Sequence, residues 1–210
     1  MKKTKLRRNS EITNVTILPV FAAIEIVLSF TPLGTLPIPG IAATMGHIPV
    51  IISAFILDRK YSSVMGLVMG ICSLIWWSTI GIGNPIAFGF TPFALYGNWF
   101  SFEICILPRF LIPIITSLLF DYFRKKCNKS LKFSAAMSAA IASFVHSVLI
   151  LGQIFLVFSG NEAISEQLKG SILTIMIIPS SFGGCAEIIV AALISITLIK
   201  PLAAIGRIKS

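Results

Sequence analysis

FTPLGTLPIPGIAATMGHIPVII, residues 30–52, decides how this chain is read. The stretch is apolar enough for a membrane, yet it holds four prolines and, toward its end, a single histidine, His47. Lipid supplies no partner for a free N–H or C=O, so a spanning segment satisfies its backbone internally as a helix, and proline removes a donor. Broken backbone at that depth is tolerated where it is buried in protein or lines a cavity. The stretch therefore reads as an uncharged, proline-stiffened connection between the outer ends of two membrane helices, closing a cavity as a lid without regular hydrogen bonding. His47, placed where the second helix begins, either points at that cavity or caps the helix.

Working outward, the rest of the chain agrees with a membrane setting. It has 210 residues, 56% hydrophobic and 12% charged, with a mean hydropathy of +0.93. Those values exclude an ordinary soluble domain. Spans of about 20 apolar residues are needed to cross about 30 Å of hydrocarbon. Six are expected, at residues 13–30, 41–57, 61–80, 102–123, 133–158 and 171–199. The predicted fold class is thus an all-α integral membrane protein with six transmembrane helices and both termini cytoplasmic. Residues 1–12 form a basic cytoplasmic N-terminus, 13–200 the membrane domain and 201–210 a basic cytoplasmic C-terminus. The opening run resembles a signal peptide only superficially: no small-x-small site follows it and Glu25 interrupts it, so it reads as a retained span.

Charge placement sets the orientation. Net charge is +9, but the basic residues cluster between apolar runs instead of forming an aromatic-interleaved stripe, which argues against nucleic acid. Lys2, Lys3, Lys5, Arg7, Arg8, Arg59, Lys60, Arg124, Lys125, Lys126, Lys129, Lys132, Lys200, Arg207 and Lys209 all fall on one side of a six-span arrangement. Lys169 falls on the other and Arg109 inside a span. The positive-inside rule makes the crowded side cytoplasmic. Cys72, Cys105, Cys127 and Cys185 are scattered without a C-x-x-C, so metal and redox roles are not expected.

Ionisable groups inside a membrane are costly and read as functional candidates. Arg109 lies deep in the fourth run, seeking either a structural anion such as Glu25 or Glu187, or a bound carboxylate gripped by its guanidinium fork. His146 and Gln153 share one face of the fifth span and either line a cavity or make an interhelical hydrogen bond. The sixth run, "IIPSSFGGCAEII", places Pro179, two serines and Gly183–Gly184 where they should interrupt the helix, turning Glu187 to the bundle interior. Glu103 and Asp121 read as helix-end residues. The long uncharged loop before the fourth span offers Asn84 and Asn98 as ligand hydrogen-bonders if it is a lid, and Trp99 as an interfacial anchor or a lid residue. Gly66 and Gly70, and the series Ala135, Ala139 and Ser143, mark close helix contacts, internal or toward a second membrane protein.

These motifs resemble a known family. "HIPVIISA", residues 47–54, is similar to the H-I-P-V-I-I-G-A run of the substrate-binding S components of energy-coupling factor (ECF) vitamin transporters, with Ser53 in place of glycine. "LPRFLIPII" resembles that family's P-R-I-L-V-G motif and puts Arg109 on it. "GGCAEIIVAALI" resembles its N-G-x-x-E pattern and puts Gly184 and Glu187 on it. Gly183 stands where asparagine is usual, and so does His146. The resemblance runs over about residues 17–202. It implies a six-helix, high-affinity vitamin-binding subunit of an ABC importer in the bacterial cell membrane, with no cofactor and no ATPase of its own. No phosphate-loop sequence is present. Its partners would be a transmembrane coupling subunit and two subunits that hydrolyse ATP, and loaded protein would topple in the membrane to release its ligand inward. Ala22 and Ala23 are the docking candidates on the first helix, although the family's A-x-x-x-A spacing is missing. The arginine suits a small carboxylate, so the pantothenate-type members are the best match, with hydroxymethylpyrimidine, riboflavin or folate as alternatives. A membrane enzyme would need a nucleophile–base pair or a metal cluster, and no such motif is found. An assembly protein would not need Arg109.

Overall fold

The computed structural model describes residues 2–38, 41–167 and 178–204. Helix α1 runs Lys2–Phe30, and its Glu11–Phe30 part is long and apolar enough to cross a membrane. Helix α3 (Arg59–Ser78), α4 (Trp99–Asp121), α5 (Leu131–Phe158) and α7 (Ile178–Ala204) are the other long helices. Each holds a stretch of sufficient length and hydropathy to span. A short α6 (Glu162–Gln167) leads away from the end of α5. Lys169, Arg207, Lys209 and the start of the expected sixth span at Ser171 lie outside the described residues.

The opening stretch departs from expectation. In place of one span over 41–57 and an irregular connection before it, there is a β-hairpin followed by a short helix. Strand β1 (Thr35–Ile38) pairs antiparallel with β2 (Ile41–Thr44), Thr35 opposite Thr44 and Ile38 opposite Ile41. Pro37 can sit in β1 because a two-stranded ribbon leaves one side of each strand without a neighbour to receive a donor. The ladder is closed at its base by the Met45 N–H donating to the Gly34 carbonyl at 2.7 Å. Gly34 itself lies against α1, where a Cβ would fall 1.9 Å from the Leu28 carbonyl oxygen, so no larger residue fits. Regular hydrogen bonding is therefore present where none was expected, because a chain pressed among helices satisfies its backbone by pairing with itself.

Helix α2 (His47–Ile56) is too short to cross alone, and every residue of it is buried. An apolar helix of about this length is a core element, not a span. It is hydrophobic on all sides because it has no lipid face: it touches α1, α3, α4, α5 and α7. Laid end to end, β2 and α2 cover about 29 Å, taking about 3.4 Å per strand residue and 1.5 Å per helix residue. Strand β2 rests on α7.

At one end of the bundle, the Asn14 amide of α1 donates to the Asp58 carboxylate at 2.6 Å and accepts from the Asp58 N–H at 3.1 Å. Arg59 pairs with Asp121 at 2.6 Å and reaches Ser117 of α4. Lys125 also faces Asp121. The start of α1 therefore lies at the same end as the 59–60 and 124–132 basic clusters. Asp121 is the helix-end residue expected of it. At the opposite, aromatic end, Phe88, Phe90, Ile104, Ile150, Ile154 and Phe158 form a second apolar cluster beneath the 79–98 loop.

Small residues set the helix contacts inside the bundle. A Cβ at Gly66 of α3 would meet the Arg109 carbonyl oxygen of α4 at 2.5 Å, and one at Gly70 would meet the Ile106 Cα at 3.3 Å. Ala135 and Ala139 are fully buried and belong to the main core with Ala191 and Ile199 of α7. Both small-residue series are internal packing. The sixth run is also corrected: α7 is continuous from Ile178 through Gly183 and Gly184. A glycine pair in a helix held by a neighbouring helix costs propensity without breaking the ladder.

Candidate functional site

Four polar side chains from four helices meet at mid-depth. Counting about 1.5 Å per residue from the basic end, Glu25 lies about 16 Å above Asn14 on α1. His47 lies about 16 Å above Asp58 on α2, and Arg109 about 18 Å above Asp121 on α4. The His47 and His146 rings stack at 6.4 Å between centroids with an interplanar angle of 29°, bringing α5 to the same level. A Cβ on Gly46 would stand 3.4 Å from Glu25 Oε1, so the base of the hairpin is held against α1 at this depth too. All four side chains are buried: Glu25 at 0%, His47 at 1%, Arg109 at 7% and His146 at 8% exposure.

Local structure explains how Arg109 is presented. Pro108 and Pro113 bracket it within α4. Each lacks an N–H, so the Ile104 and Arg109 carbonyls lose their intrahelical donors. The Arg109 side chain turns back along its own helix and donates from Nη1 to the Cys105 carbonyl at 2.6 Å. Its guanidinium lies 5.7 Å from the centre of the Phe90 ring, and Phe90 in turn stacks on Trp77 at 4.7 Å. The aromatic pair covers the cation from the loop side, an arrangement that favours a desolvated guanidinium.

Arg109 does not take either of the structural partners considered for it. No ion pair joins it to Glu25 or Glu187, and its Nε has no hydrogen-bond partner. Glu25 accepts from Ser29 Oγ at 3.3 Å through Oε1, while its Oε2 has no partner. Arg109 is nevertheless close enough to act electrostatically on both Glu25 and His146. His146 Nε2 and, one turn toward the basic end, Ser143 Oγ are likewise buried without a partner. Buried polar atoms are normally satisfied, and each exception calls for an explanation. Here four of them, on α1, α4 and α5, gather at one level.

The remaining candidates are placed differently. Gln153 donates to the Glu103 carboxylate at 3.0 Å, so it ties α5 to α4 nearer the aromatic end, while its Oε1 is buried without a partner. Asn98 caps α4: its Oδ1 accepts from the Ser101 N–H at 3.2 Å, and Ser101 Oγ accepts from the Asn98 N–H at 3.0 Å. Asn84 accepts from the Ile86 N–H within an exposed turn. Trp99 is 84% exposed, the position of an interfacial anchor and not of a lid facing inward. Gly184 packs opposite Ser147 of α5, beside His146, with Glu187 half-buried nearly one turn further along α7. Of the docking candidates, Ala22 is half-buried against the main core and Ala23 is exposed. The sequence offers Glu25 only as a neighbour for Arg109, and it gives Phe90 and Ser143 no place in the site. Glu25 carries a signal in sequence, an acid interrupting the first apolar run. Phe90 and Ser143 carry none.

A multi-pass helical bundle with an incompletely satisfied polar centre is the build of a membrane protein that holds a small polar ligand. The chain belongs to the family of ECF transporter substrate-specific components, whose model matches residues 13–199. That makes it a transporter's substrate-binding component and not an enzyme. It is similar to the Pantothenic acid transporter PanT of Lactococcus lactis subsp. cremoris (strain MG1363), with 28% identity over 203 residues, 93% of this chain and 96% of the relative.

Proposed function

We propose that this chain captures pantothenate at the outer face of a bacterial cell membrane and delivers it as the binding subunit of an ECF-type importer. The observation that carries the reading is Arg109: a guanidinium sunk at mid-depth, left with a free Nε and no carboxylate. A cation in that state is stabilised by a ligand's carboxylate, through charge-assisted bonds about twice as strong as neutral ones. Pantothenate supplies such a carboxylate, and the likeness to a pantothenic acid transporter supports it over hydroxymethylpyrimidine, riboflavin and folate. His47 and His146 would read the ligand's neutral polar atoms, with Gly184 and Glu187 completing the wall on α7. Asn84, Asn98 and Trp99 would hold the covering loop, and Gln153 its approach.

The basic end faces the cytoplasm in this reading, by the positive-inside rule, with both termini there. The chain takes no cofactor, and ATP is consumed by two partner subunits that act through a transmembrane coupling subunit. The exposed apolar face of α1, including Ala23, Ile24 and Val27, is offered to that subunit or to lipid. Thermal unfolding of detergent-purified protein with single B vitamins tests the reading. A ligand at about 100 times its Kd adds about 2.7 kcal/mol of apparent stability. Pantothenate should raise the midpoint. No shift with pantothenate, or a larger one with another vitamin, overturns the assignment.

A further inference from the structure

Glu25 is the second buried ionisable side chain in the centre of this bundle, and the reading above gives it no role. It is wholly buried, its Oε2 has no partner, and among the described residues it accepts one long hydrogen bond, from Ser29 at 3.3 Å. Arg109 stands within electrostatic reach on another helix with its Nε free, and no ion pair joins the two. A buried carboxyl oxygen left without a hydrogen-bond partner keeps its full desolvation cost, so a ligand group that donates to it is favoured. Gly66 brings α3 close against the Arg109 carbonyl, and Gly46, at the base of the hairpin, lies beside the Glu25 carboxyl. A ligand that completes this centre presents an anion to Arg109 and a hydrogen-bond donor to Glu25.

We propose that Glu25 is a specificity-determining residue that accepts a hydrogen bond from a hydroxyl of the ligand while Arg109 holds its carboxylate. This deepens the pantothenate reading and rests on it, since that molecule carries a carboxylate at one end and two hydroxyls at the other. The pair selects for a carboxylate joined to a donor group, and against acids of similar size whose far end is apolar.

The test measures Kd by isothermal titration with the full chain in detergent. The ligands are pantothenate, its alcohol analogue pantothenol, and the β-alanine amide whose acyl part lacks both hydroxyls. Native protein should prefer pantothenate over each analogue. Glu25→Leu should cut the preference over the dehydroxylated amide at least tenfold while leaving the preference over pantothenol. Glu25→Gln, which retains an acceptor oxygen, should restore part of it and serves alone if the leucine variant does not fold. Arg109→Gln should do the reverse, erasing the preference over pantothenol. If both Glu25 variants weaken every ligand by one common factor, or change nothing, Glu25 is structural and the assignment falls. Native protein that binds none of the three overturns the pantothenate reading itself, a distinct result.

Discussion

Arg109 is the residue on which the chemistry turns, and its surroundings give it little to do except bind. Truncating one member of a desolvated charge pair costs on the order of 2–5 kcal/mol, so Arg109→Ala should weaken pantothenate by at least about 30-fold in titration calorimetry. Arg109→Lys should not rescue it, because an ammonium lacks the fork and would surrender the bond to Cys105 as well as the planar face toward Phe90. His146 gives a contrasting prediction. Its Nε2 is buried without a partner, and an unsatisfied buried group costs about 1–3 kcal/mol. His146→Leu should therefore match or exceed the native protein in ligand-free thermal stability while losing affinity by at least tenfold. A histidine kept for packing would show the opposite pattern. Asn98 separates structural polarity from functional polarity. Its amide is occupied by the α4 cap, so Asn98→Ala should cost about 1 kcal/mol of stability with little change in Kd.

The elements show why the site has the shape it does. Helix α4 carries two prolines, and its freed Arg109 carbonyl is approached closely by α3 at Gly66. Adding a methyl there drives a carbon into backbone oxygen, and overpacking of this kind costs about 1–3 kcal/mol. Gly66→Ala should lower the unfolding midpoint and weaken ligand binding together, since the displaced backbone is the one that carries Arg109. Gly152, which has open space around it, is the control: alanine there should leave binding unchanged. Helix α2 begins only at His47, after the hairpin. That start places the first turn of a helix, with His47, at mid-depth instead of at the membrane surface, which a continuous helix over 41–57 would not do.

At the scale of the molecule, the two ends differ in kind. One is pinned by polar bonds among α1, α3 and α4 and carries the basic clusters. The other is an aromatic cap with Phe93, Leu95 and Trp99 exposed. Cys127 lies at the basic end and is partly exposed, whereas Cys72 and Cys105 are buried. A membrane-impermeant maleimide should label Cys127 in inside-out vesicles and not in intact cells, in a variant with Cys185 replaced by alanine. Labelling from the outside would reverse the orientation.

By itself the sequence determined that the chain lives in a membrane, where its long apolar helices fall, that Arg109 is a costly residue needing a reason, and, through the run from His47 to Ala54, which family it resembles. Those are properties of local composition and spacing, readable because hydrocarbon penalises each segment separately. Tertiary structure alone decided that residues 35–38 pair with 41–44, that α7 stays continuous across its glycines, and that Asn98 and Gln153 are engaged by neighbours. It also decided that Glu25 stands near Arg109 while remaining apart from it. The reason is geometric: which polar atoms converge depends on how separate helices are rotated and how closely glycines let them approach, and no single helix encodes the position of another.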